Sequence, residues 1–132
     1  MVIDTSVIVA IALNEADAAE FEERIADDPV RLISAATVLE ATIVLETRLG
    51  DAGGREFDLW LLKLGAEIVP VDAEQMDAAR RAWRRYGRGR HPAALNFGDC
   101  CTYALAEQTG LPILCVGNDF ARTDLRVIRP PD

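Results

Sequence analysis

Strand-like and helix-like patterns alternate along the chain. They predict an α/β fold, a three-layer α/β/α domain spanning residues 1–132 whose short, mainly parallel central sheet has about five strands. Three observations carry this expectation. Short aliphatic runs of strand length recur between longer segments whose apolar residues fall at helical spacing. Capping residues and glycines fall at the boundaries between them. No internal repeat, linker or low-complexity stretch interrupts the alternation, and the length fits one domain of ordinary size. Half of the residues are hydrophobic but only 6% are aromatic, so the core is expected to be packed and aliphatic.

Val2-Ile3 reads as a first strand running directly into a helix near 6–13. Asn14-Glu15-Ala16-Asp17 starts a second helix, with Ala18, Ala19, Phe21, Glu22 and Ile25 at helical spacing, and Asp28-Pro29 ends it. Arg31-Leu32-Ile33 is the second strand. Ser34 is placed to cap a long helix from Ala35 to about Arg48, stopped by Gly50. After Gly53-Gly54 a further helix is expected over about 55–64, closed by Gly65. Its Phe57, Leu59, Trp60, Leu61, Leu62 and Leu64 cover more than one face, which points to a partner surface as well as a core. Glu67-Ile68-Val69-Pro70-Val71 is the third strand, with its proline near the end. Asp72 caps a helix running to about Tyr86, and 87–96 is a loop. Phe97–Thr109 is a helix ended by Gly110. Pro112–Val116 is the fourth strand, Arg126-Val127-Ile128 a short fifth, and Pro130-Pro131 ends the order.

Several function classes are excluded. The apolar runs are too short and too interrupted to span a membrane, and the start has no basic region or signal-like cleavage site, so a cytoplasmic location is expected. Three cysteines without C-x-x-C spacing argue against a zinc or redox motif and for buried free thiols. The net charge of −8 argues against nucleic-acid binding by the whole surface. The charge is uneven, however. Arg80, Arg81, Arg84, Arg85, Arg88 and Arg90 lie with His91 in one stretch without an acid, six of the 14 basic residues. A solvated helix face accounts for them unless an anion site lies beside them.

Four acids sit where a carboxylate is awkward. Asp4 follows the apolar start Met1-Val2-Ile3, Glu40 interrupts the apolar run 35–45, Asp99 opens the pattern Cys100-Cys101-Thr102-Tyr103-Ala104-Leu105, and Asp119 follows Ile113-Leu114-Cys115-Val116 and a turn. A carboxylate against apolar surface costs several kcal/mol unless paired or metal-bound. Helix caps or turns could explain Asp4, Asp99 and Asp119 one at a time. Glu40 is harder to explain, because Ala36, Thr37, Ile43 and Val44, its helical neighbours, carry no charge. Asp4 and Asp119 also follow strand ends, the edge where parallel sheets bind ligands. Clustered carboxylates repel unless a cation neutralises them, and oxygen-only ligands suit Mg²⁺ or Mn²⁺. A cation-loaded pocket beside an arginine-rich rim would accept a phosphate backbone, with Arg85 and Arg88 as candidate phosphate contacts.

Asp4-Thr5-Ser6, Glu40 in a central helix, Gly98-Asp99 opening a late helix, and Gly117-Asn118-Asp119-Phe120 followed by Thr123-Asp124-Leu125 resemble the PIN-domain ribonucleases. Over essentially its whole length the chain is similar to the VapC toxins of bacterial toxin–antitoxin pairs. The resemblance implies a PIN-like fold and a metal-dependent endoribonuclease that hydrolyses RNA phosphodiester bonds. It implies an acidic quartet at Asp4, Glu40, Asp99 and Asp119 holding Mg²⁺ or Mn²⁺, with Ser6 supporting the site and Asp124 a candidate further acid. It also implies a homodimer inhibited by a VapB-type antitoxin. The alternative is a PIN-like module that binds RNA or protein without cutting; the complete set of four acids argues against it. A haloacid-dehalogenase-type phosphatase would need a second Asp where Ser6 stands, and a receiver domain a late lysine, whereas the sole lysine is Lys63.

Overall fold

The structure, a computed structural model, describes residues 1–130; of the expected terminus Pro130-Pro131, Pro131 lies outside the described residues. Its elements are β1 (Val2–Ile3), α1 (Thr5–Ala12), α2 (Ala18–Asp27), β2 (Leu32–Ser34), α3 (Ala35–Leu64), β3 (Glu67–Val69), α4 (Ala73–Tyr86), α5 (Phe97–Thr109), β4 (Ile113–Leu114), a 3₁₀ turn (Phe120–Arg122) and β5 (Val127–Ile128). The five strands form one sheet in the order β3-β2-β1-β4-β5, and every pairing is parallel. Val2 lies opposite both Leu32 and Ile113, so β1 is the central strand.

The order explains the layers. From β1 the chain steps outward to β2 and β3, then returns to the other side of β1 for β4 and β5. Crossovers of one hand that run in opposite directions place their helices on opposite faces. The side chains agree with this, alternating with the pleat. Val2, Leu32 and Ile113 enter a core built with Ala78, Ala82 and Tyr103 of α4 and α5. Ile3, Ile33 and Leu114 enter a second core built with Val7, Phe21 and Leu45 of α1, α2 and α3. Each such fully buried aliphatic side chain contributes about 1.5–3 kcal/mol. Cys100, Cys101 and Cys115 are free and buried, Cys100 and Cys115 within the first of these cores.

The structure departs from the sequence expectation in a few places. The break expected after Arg48 is a kink: α3 runs from Ala35 to Leu64, and only Gly50, at φ 71° and ψ −168°, leaves helical geometry. Glycine tolerates that backbone and lets the second arm start without a linker. β3 stops at Val69, so Pro70 lies beyond the ladder, where its missing N–H costs nothing. α5 is buried along Cys100–Ala106 on nearly every side, sandwiched between the sheet and α4. That is why its apolar residues show no stripe. Among the described residues no helix is long and apolar enough to cross a membrane.

Candidate active site

Asp4 leaves the end of β1 and enters the first turn of α1. Its Oδ2 accepts hydrogen bonds from the Ser6 backbone N–H at 3.1 Å and the Ser6 hydroxyl at 2.7 Å. Its Oδ1 accepts from the Thr102 hydroxyl of α5 at 2.8 Å. The residue is only 4% exposed, yet both oxygens are satisfied, which is what makes a buried carboxylate tolerable here. Ser6 Oγ in turn accepts from the Val116 N–H at 3.0 Å, just past β4. One hydroxyl therefore ties the ends of β1 and β4 together. That is the point where strand order reverses, and ligands of open parallel sheets bind in the crevice there.

Glu40 reaches the same end of the sheet from α3. Its Oε1 accepts from the Thr5 hydroxyl, and its carboxylate packs so closely on Gly98 that a Cβ at that position would collide with it. The compensation that the sequence around Glu40 lacks thus comes from a residue 35 positions away. Asp99 sits in the first turn of α5 rather than opening it: Asn96 is the cap. Asn96 Oδ1 accepts from the Asp99 N–H at 2.9 Å, and Asp99 Oδ2 accepts from the Asn96 N–H at 3.0 Å, a reciprocal capping box. Asp119 is exposed, opens the 3₁₀ turn, and makes no side-chain cap bond.

Three of the acids act on the fourth. Asp99 is pushed up from 3.8 to about 6, first by burial, against the lowering effect of the Asn96 amide, and further by the charges of Asp4, Asp119 and Glu40. Cys115, behind them, is pushed up to about 12, chiefly by burial and also by Asp4, Asp119 and Asp99. The four carboxylates therefore share one electrostatic neighbourhood. Among the described residues no three His, Cys, Asp or Glu side chains come close enough together to form a ready metal-binding group.

The arginine stretch lies along α4 and the loop after it. Arg80 pairs with Asp77 at 3.1 Å and Arg81 with Glu107 at 3.6 Å. Arg85 is 3.7 Å from Asp124, with its guanidinium 4.8 Å from the Tyr86 ring centre. Arg88 is exposed and forms no ion pair among the described residues. Asp124 accepts from the Tyr103 hydroxyl at 2.6 Å, a bond that holds its carboxyl below the usual range. It anchors the loop that carries Asp119 and is not among the charges that raise Asp99. Thr5, Thr102 and Gly98 are structural partners of the acids; the sequence motifs contain Thr5 and Gly98 without giving them a role, and they do not single out Thr102. Thr102 carried a faint signal, as a hydroxyl three residues after Asp99 in an otherwise apolar stretch.

The sequence matches the PIN domain family over residues 1–125. A ribonuclease VapC of Mycolicibacterium smegmatis is 55% identical over 128 residues, covering 97% of this chain and 99% of its own. The chain belongs to the PIN-domain VapC ribonucleases. Solved VapC structures share the fold at low identity. The Mycobacterium tuberculosis toxin VapC20, described as cleaving the sarcin–ricin loop, superposes with a TM-score of 0.81 at 20% identity, covering 98% of both chains. VapBC2 of Rickettsia felis, bound to a promoter DNA fragment, superposes at 0.77 and 14% identity, again over 98% of both. In this VapC-family chain the acids at the switch point are a hard, anionic donor set with hydroxyl support. Such a set can bind a divalent cation and, through it, a phosphate.

Proposed function

We propose that the chain hydrolyses RNA phosphodiester bonds as the toxin of a toxin–antitoxin pair, using Asp4, Glu40, Asp99 and Asp119 as the acidic residues of its active site. The observation that supports this most is the full-length match to a ribonuclease VapC, 55% identical over 97% of the chain. At the site itself the Asp99 carboxyl is raised, first by burial and then by the charges of Asp4, Asp119 and Glu40. Such a pocket repels RNA by itself and calls for a divalent cation, and an all-oxygen donor set fits Mg²⁺ or Mn²⁺. When bound there, the metal supplies positive charge for an anionic phosphodiester and Lewis acidity towards water.

The chain's own residues supply orientation. Ser6 and Thr102 fix both oxygens of Asp4 from two different elements, leaving its remaining lone pairs directed by the fold rather than by solvent. Thr5 holds one oxygen of Glu40, and Gly98 admits its carboxylate against the α5 backbone. The Asn96–Asp99 capping box sets the Asp99 side chain. Arg85 and Arg88 are assigned to RNA phosphates near this rim, with Arg88 the freer of the two.

For partners, we assign a VapB-type antitoxin and a second copy of the chain to the apolar surface of α3. Leu39 and Ile43 on its first arm are 62% and 57% exposed, and Leu59 and Leu62 on its second arm are 55% and 80% exposed. Each arm thus exposes a pair of large apolar side chains at helical spacing, a feature of interaction surfaces. The test of the activity is sequencing of RNA 5′ ends after incubation of cellular RNA with the purified protein and Mg²⁺. Discrete new ends are expected, absent with EDTA and absent with Glu40→Gln. New ends that persist in both controls would remove the metal-carboxylate reading.

A further inference from the structure

Phe97 is 74% exposed at the first position of α5, immediately before Gly98 and Asp99. Nothing in the core needs it there. It forms a ridge shared by two hollows. One contains Glu40, Gly98, Leu39 and Ile43. The other, a cleft of about 400 Å³, lies between Phe97 and Trp83, floored by Ala79, Cys100 and Cys101 and rimmed by Arg80 and Arg84. Trp83 is 44% exposed, and the Arg90 guanidinium lies 4.2 Å from its ring centre. Arg84 is exposed and makes no ion pair among the described residues.

We propose that Phe97 and Trp83 form a subsite for one nucleobase of a single-stranded RNA, with Arg84 on an adjoining phosphate. This deepens the ribonuclease reading and rests on it. The chemistry is that of single-strand binding: aromatic faces take the base, and arginines track the backbone. The charge distribution selects this occupant over a second copy of the chain. The protein carries −8 overall, yet this cleft is bordered by Arg80 and Arg84 of the stretch that holds six of its 14 basic residues. A symmetric dimer closed through the cleft would set the arginines of α4 against their own copies. An RNA strand brings the opposite charge. Because Phe97 also borders the hollow of Glu40, a base held on one side of its ring places the neighbouring phosphate beside the acids.

The test uses Trp83 fluorescence in a Trp60→Phe, Asp99→Asn background with Mg²⁺, so that one tryptophan reports and cleavage is suppressed. Titration with hexauridylate is expected to quench Trp83, and an abasic hexanucleotide to quench far less. Phe97→Ala should weaken the uridylate affinity roughly ten-fold or more, and Phe97→Tyr should restore it. Sedimentation of the same variants should show no change of oligomeric state. Quenching that is absent, or affinity unchanged in Phe97→Ala, would overturn the subsite. So would a Phe97→Ala chain that changes from dimer to monomer while binding RNA as before; the cleft would then belong to a second copy. A wild-type chain that quenches normally but cuts no RNA would refute the nuclease reading instead.

Discussion

The raised Asp99 carboxyl has a direct thermodynamic consequence. A carboxyl with its folded value near 6 and its unfolded value near 3.8 binds more protons in the fold, so stability falls as pH rises between the two and stays lower above them. Asp99→Asn removes that charge while Asn can still accept from the Asn96 N–H. In the metal-free protein at pH 7 it should raise stability by about 1–2 kcal/mol, discounted for partial exposure, with the gain vanishing towards pH 4. Thermal melts at both pH values with EDTA check this, and equal melting points at pH 7 would show that the acids do not strain the fold. Gly98 offers a sharper separation of fold from function. Alanine at this helical position is a better helix former by about 1 kcal/mol, but its Cβ takes the space of the Glu40 carboxylate. Gly98→Ala should keep or raise the melting temperature while cutting RNA cleavage at least about ten-fold. A folded variant of normal activity would mean that Glu40 works from another position.

Among the elements, the site depends on three that arrive from different layers: β1, α3 and α5. Thr102 is the link between α5 and β1, completely buried, with its hydroxyl on Asp4. Thr102→Val keeps the shape and deletes a charge-assisted bond, so it should cost about 1.5–3 kcal/mol by denaturant unfolding and lower cleavage by freeing one Asp4 oxygen. An unchanged stability would mean that Asp4 finds another donor. The elements themselves were largely legible, because strand lengths, caps and helix-ending glycines are local signals. Gly50 shows the limit: a glycine at that spacing reads as a stop, and only packing of both arms on the α1–α2 side decides that the helix resumes at once. Asp99 was legible as an acid at a helix start, but the Asn96 capping box needs the geometry. The Thr5–Glu40 and Thr102–Asp4 bonds span 35 and 98 residues and leave no periodic trace in the sequence.

For the whole molecule, the dominant feature is an acidic protein with one basic border. Acids gather at the carboxyl edge of the sheet because parallel strands bring their ends to one crevice, while α4 supplies the arginines. Phosphate contacts carry affinity but little sequence choice, and each adds to the salt dependence. Arg88→Ala should weaken RNA binding across sequences and flatten the salt slope by about 1. Arg85→Ala should do less, because Asp124 and the Tyr86 ring already engage that side chain. Binding isotherms at several salt concentrations distinguish these two from a merely solvated face, for which both slopes would stay as in the wild type. The central claim, that one acidic site at the β1–β4 switch point does the chemistry, is tested most directly by a single rate. That rate is the Mg²⁺-dependent cleavage of one mapped RNA by Asp99→Asn relative to wild type, with both proteins shown to be folded by circular dichroism. A fall of at least about a hundred-fold is the predicted result; a rate within two- or three-fold of wild type, on the order of 0.5 kcal/mol in barrier, would contradict it.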